Sequence, residues 1–185
     1  MTEEIWIRAA VRRAADGGWT RSALRLALED CGEGTELLPS AFPRGVVGAI
    51  DSWLALVDAE MDAMAATEDL STLRTPARIR RVVEIRLRLL EPDREALRGA
   101  MGHLALPWNA PLGLRCLART VSAMWHAAGD RSADFSWYTR RATLAAVYAA
   151  TLTFWMRPNA PEMAEVLSFL DRRLQDLPKP RAKAA

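Results

Sequence analysis

Apolar residues recur at steps of three and four along almost the whole chain, and no run alternates convincingly between apolar and polar positions. That period dries one side of a helix and offers no template for a half-buried strand, so the sequence predicts an all-α fold. The steps are clear at Val47, Ile50, Leu54, Val57, Met61 and Met64, and again at Ile79, Val82, Val83, Leu87 and Leu90. Glycine, proline and capping residues divide the pattern. A first helix begins near Ile5 and closes at Gly17-Gly18, a second runs from Thr20 or Ser22 to Cys31-Gly32, and a brief third covers Glu36 to Phe42. Longer segments follow: Arg44 to about Leu70, Pro76 to Glu91-Pro92, Asp93 to Leu106, Pro111 to Ala128, Asp134 or Ser136 to about Met156, and Pro161 to about Leu177.

A chain of 185 residues, half of them hydrophobic, can bury one sizeable core, which predicts a single unit over 1–185. Its expected parts are three short helices over 1–43, longer helices over 44–160, a terminal amphipathic helix over 161–177 and a flexible tail over 178–185. Lys plus Arg number 25 against 23 Asp plus Glu, so the summed field gives no general reason to expect a polyanion partner. Cys31 and Cys116 are too few for a disulfide framework and read as small buried apolar groups in a reducing compartment. The acidic start Met1-Thr2-Glu3-Glu4 lacks the basic region of a secretory signal, and a cytoplasmic location is expected. Ala142 to Met156 carries no charge, but its roughly fifteen residues fall short of a bilayer span and read as a buried helix.

Reactive chemistry finds little support. His126, Asp130 and Asp134 lie close in sequence, yet neither histidine has a glutamate three residues before it, as a di-iron bundle requires. No Gly-rich phosphate loop or His-Glu-x-x-His run is present, so no catalytic residue, cofactor or metal is expected. Arg74, Arg78, Arg80, Arg81, Arg86 and Arg88, opposed by Glu84 and Glu91, read as a solvated face whose stems lie over the core; lipid phosphate or an acidic partner is the functional alternative. Between two helices, the stretch Met124 to Arg141 packs Trp125, Phe135, Trp137 and Tyr138 among charges, as docking surfaces do. Trp125 falls in line with Leu117 and Val121 and is equally a core residue, while Asp134 is equally an N-cap. The terminal stripe of Met163, Val166, Leu167, Leu170, Leu174 and Leu177 fits either packing on its own protein or a reversible membrane foot. Phe169 and the basic Lys179, Arg181 and Lys183 favour the second.

Three short helices after Gly17-Gly18-Trp19-Thr20, followed by longer packed ones, resemble the TetR fold. Ser22 to Cys31 and Thr35 to Phe42 would then face DNA, but no Lys or Arg occurs from Glu29 to Pro43, so no nucleic-acid partner is expected. The C-terminal half is more specific. Leu106-Pro107-Trp108-Asn109-Ala110-Pro111, Met124-Trp125-His126-Ala127-Ala128-Gly129-Asp130 and Asp134-Phe135-Ser136-Trp137-Tyr138-Thr139-Arg140-Arg141-Ala142, with Arg86-Leu87-Arg88 upstream, resemble the lipid-binding accessory family of ubiquinone biosynthesis, the ninth of the Coq series. The resemblance spans about Arg74 to Leu174.

It implies a TetR-like homodimer that is not itself an enzyme, binds isoprenoid quinone intermediates and presents them to the di-iron demethoxyubiquinone hydroxylase. It implies hydroxylase contacts at Met124, Asp134, Trp137 and Tyr138, and a terminal helix over about 161–177 that closes over lipid and touches the membrane surface. A mitochondrial matrix location follows if the protein is organellar. For the lipid cavity, candidate walls are Leu114, Leu117, Leu144, Val147, Tyr148, Leu152 and Trp155, with Met163, Leu167 and Leu170 as a lid, although these positions describe an ordinary core equally well. The alternatives are a ligand-responsive TetR-type transcription regulator and an isoprenoid-binding enzyme.

Overall fold

The computed structural model describes residues 2–129, 136–159 and 161–175. Among them the chain forms α1 (Thr2–Gly17), α2 (Arg21–Asp30), α3 (Leu38–Ala41), α4 (Gly45–Ala66), α5 (Thr75–Leu90), α6 (Arg94–Leu104), α7 (Ala110–Ala127), α8 (Ser136–Trp155) and α9 (Met163–Gln175), with no strand. Helix α4 is the central post, packed by α7, α5 and α1; α1 also carries α2 and α6, α8 lies on α7, and α9 lies on α8 and α5.

Local chemistry explains the boundaries. Thr20 caps α2 by accepting from the Ala23 amide at 3.0 Å. The third helix, expected as one piece from Glu36 to Phe42, is instead a 3-10 turn at Thr35–Leu37 followed by the four-residue α3. Pro39 sets the break, because a residue without an N–H fits only the first turn of a helix. The long helix stops at Ala66 rather than near Leu70; the Thr67 hydroxyl turns back onto the Met64 carbonyl, and Asp69 caps a separate 3-10 turn at Leu70–Thr72. Gly129, at φ 79°, takes the left-handed conformation that closes α7.

One apolar cluster runs from α1 to α9. Two tryptophans tie its N-terminal part together: Trp19 and Trp53 meet at 5.7 Å between ring centroids, and the Trp19 indole donates to the Ala96 carbonyl at 2.8 Å. A buried indole that finds an acceptor keeps its large apolar area without leaving a stranded donor.

Candidate functional site

The corner between α7 and α8 brings only part of the expected docking patch to a described surface. Tyr138, in the first turn of α8, is 71% exposed. Met124 is fully buried, which corrects its expected place on the surface: it lies on the α7 face that packs into the core. Trp125 takes the core alternative, and its buried indole N–H finds no hydrogen-bond acceptor among the described residues; the Arg140 guanidinium lies 6.0 Å from its ring centre. Asp134 lies outside the described residues, and of Trp137 only its backbone position in α8 is described.

The expected cavity walls are divided in the same way. Leu144, Val147, Tyr148, Trp155, Leu167 and Leu170 are buried in the common core, with Leu117, Leu152 and Met163 packed at its margin. Leu114 is 68% exposed and is no wall of an interior space, because the first two turns of α7 project it outward. Two open hollows among the described residues lie elsewhere: one of about 390 Å³ between α2, α3 and the start of α4, the other of about 400 Å³ between α4 and α7 over Asp62, Arg119, Ser122 and His126.

Beneath that second hollow lies a polar network that sequence reasoning missed. Asp58 on α4 pairs with Arg86, which is 1% exposed, and accepts from Arg119 Nε and from the Thr120 hydroxyl, both at 3.2 Å. Arg86 Nε donates to the Tyr148 hydroxyl at 2.9 Å, so α4, α5, α7 and α8 share one knot. One turn pair back along α4, Asp51 accepts from Arg119 at 2.5 Å, Arg44 at 2.8 Å and the Cys116 thiol at 3.4 Å. Burial pushes the Asp51 carboxyl up, but these donors outweigh it and hold its pKa below the ordinary value. Cys116 is buried as expected, but its bond to Asp51 makes it a hydrogen-bonding group rather than a purely apolar one; burial, with the neighbouring Asp51 carboxylate, pushes its thiol up to about 11. Burial also raises Tyr148. Cys31 is half-buried rather than buried. The missed signal was legible: Asp51 and Asp58 stand seven residues apart, hence on one face of α4, beside Ile50, Leu54, Val57 and Met61.

The network corrects the reading of α5 as a solvated basic face at one position, Arg86, while Arg74 and Arg88 remain exposed. Arg86 is interior, and Arg80, Arg81 and Arg88 converge on the buried carboxylate of Glu84, at 2.5, 3.2 and 3.0 Å. Arg81 further grips Glu68 with two hydrogen bonds at 2.7 and 2.8 Å, and Arg80 reaches Asp171 on α9 at 3.2 Å. Much of the local positive charge is thus neutralised inside the chain.

Helix α9 lays its stripe on its own protein. Val166, Leu167 and Leu170 are buried, and Phe169, outside the stripe, stacks on Phe154 of α8 at 4.6 Å between centroids. Leu177, Lys179, Arg181 and Lys183 lie outside the described residues. No described helix is long and apolar enough to cross a membrane.

The COQ9 family profile matches residues 110–179, which hold α7, α8 and α9. Over 181 residues the chain is 33% identical to the rat protein named "Ubiquinone biosynthesis protein COQ9, mitochondrial", a match covering 92% of this chain and 56% of that one. The human protein of the same name is 44% identical over 103 residues, 56% of this chain and 32% of its own length. The chain therefore spans between about a third and just over half of these relatives. A solved TetR transcriptional regulator from Nitrosomonas europaea superposes with a TM-score of 0.75 over 94% of this chain and 96% of its own, at 24% identity, which establishes a TetR-like fold.

Proposed function

We propose, for a chain whose residues 110–179 match the COQ9 family profile, membership of that family and the role of a non-catalytic accessory protein in ubiquinone biosynthesis. It binds isoprenoid quinone intermediates and presents them to the di-iron hydroxylase that acts on them, working as a homodimer at a membrane surface. The observation that carries this reading is the family match itself, because it covers the aromatic corner and the terminal helix together. The relatives' names place them in mitochondria, and the same compartment is proposed here.

The described arrangement is read as the closed form. With the candidate walls packed together, a long isoprenoid tail gains room only if α9 lifts from α8 and α5, uncovering the surface now held by Val166, Leu167, Leu170 and the Phe154–Phe169 stack. Lifting a few large apolar side chains costs several kcal/mol, at roughly 1.5–3 kcal/mol each, which lipid or membrane must offset by covering the same surface. Tyr138, Trp137 and Asp134 form the hydroxylase contact in this scheme, with Met124 as a buried support.

Native mass spectrometry of protein purified from quinone-producing cells, followed by lipid extraction, tests the lipid part: a quinone-like isoprenoid supports it, and repeated recovery of empty protein counts against it. For the hydroxylase, Trp137→Ala and Tyr138→Ala are expected to weaken capture of the purified di-iron enzyme by tenfold or more at an unchanged melting temperature. Unaltered affinity in both variants rules the corner out.

A further inference from the structure

Among the described residues, the two most exposed large apolar side chains other than Tyr138 lie six residues apart: Trp108, at 75%, and Leu114, at 68%. Both belong to the α6–α7 junction. Trp108 stands in the tight turn before α7, between Pro107 and Pro111, and that turn is held by the Asn109 amide, which donates to the His103 carbonyl at 2.9 Å, and by the Asn109 backbone N–H on the Leu106 carbonyl at 2.8 Å. The helices meet closely there; a Cβ added at Gly113 would lie 3.1 Å from the Leu104 carbonyl oxygen. Pro111, Leu114, Arg115 and Ala118 then share one exposed face of α7 at steps of three and four. The hydrogen-bonded backbone of the turn thus presents an indole outward.

Charge identifies what this surface meets. Between Glu95 and Asp130 the sequence contains no Asp or Glu, while Arg98, Arg115 and Arg119 fall in that stretch. Arg119 is tied to Asp51 and Asp58, and Arg98 to Glu95, whereas Arg115 is exposed and makes no ion pair among the described residues. A second copy docked about a two-fold axis would set this patch against itself, leaving Arg115 opposite a surface without a carboxylate. Anionic lipid headgroups supply the missing charge, and tryptophan prefers the boundary between headgroups and acyl chains, where its ring is dry and its N–H wet.

We propose that the α6–α7 junction is a membrane-contact tip, with Trp108 and Leu114 entering the interface of an anionic bilayer and Arg115 pairing with lipid phosphate. This contact is separate from the terminal helix and holds whether or not the chain carries isoprenoid lipid.

Co-sedimentation of the full chain with mixed phosphatidylcholine–phosphatidylglycerol vesicles tests it. Trp108→Ala with Leu114→Ala is expected to lower partitioning by about tenfold. Arg115→Glu is expected to lower it by about fivefold or more on the mixed vesicles and by much less on phosphatidylcholine alone, at an unchanged melting temperature. The charge variant keeps the test decisive if the double alanine variant does not fold. Three results would overturn the proposal: no vesicle binding by the wild-type chain, equal binding by wild type and both variants, or a vesicle-independent change in solution mass showing that the tip contacts a second copy.

Discussion

Helices α5 and α8 reverse the usual relation between charge and exposure. Helix α5 carries arginines at Arg78, Arg80, Arg81, Arg86 and Arg88, yet an unbroken run from Val82 to Leu87 is buried. Helix α8 has no charge from Ala142 to its end at Trp155, yet Ala142, Ala146 and Thr153 face outward. Charge count does not decide burial; available partners do. Glu84 and Asp58 give the α5 arginines counter-charges beside the core, whereas the small outward residues of α8 have no described element packed over them. A buried charge is tolerated when paired and hydrogen-bonded, and small apolar residues cost little where they face water.

The strongest way to break this contrast is at the knot. Arg86→Met should leave Asp58 buried with its main counter-charge gone and cost about 3–5 kcal/mol in urea denaturation, while Arg86→Met with Asp58→Leu should recover much of the loss. A double variant no better than the single would mean that the knot is not a self-contained pair. Glu84→Gln should cost less, about 1–2 kcal/mol, because the arginines it gathers are each a third or more exposed and can turn to water.

Acid probes the same groups. The carboxyls of Asp51 and Glu84 are both raised by burial but lowered more by arginine donors, so their net pKa lies below the ordinary value. The unfolded chain therefore binds more protons, and their stabilisation is present above the ordinary carboxylate range near pH 4 and lost as pH falls through the folded values. Burial raises Asp93 and gives it the opposite sign, a partial offset. The urea midpoint should drop on acidification below about pH 4, and Asp51→Asn should flatten that fall.

The mildest substitution addresses α8. Ala146→Arg should change monomer stability by no more than about 0.5 kcal/mol, since the side chain points outward. If a second copy covers this face, sedimentation should show the dimer broken; an unchanged sedimentation coefficient in a dimeric protein would place the dimer contact elsewhere.

Much of the fold was legible because helical period and end signals are local. Gly17-Gly18, Thr20, Pro76, Pro111 and Gly129 stop or start helices through their own backbone chemistry, whatever packs around them. The candidate site was legible only as residue types in order. Tyr138 and Met124 share one conspicuous block, yet one is exposed and the other fully buried, since burial depends on which face of α7 or α8 meets a neighbour.

The sequence by itself determined an all-helical chain, most of its helix boundaries and the family blocks that direct attention to its C-terminal half. Only tertiary structure decided that Arg86 is a core residue, that Leu114 points to solvent, and that α9 is shut onto α8 and α5. The reason is that helix formation is written in contacts three and four residues apart, whereas pairing Asp58 with Arg86 and Tyr148 requires three helices to bring distant residues within hydrogen-bond reach.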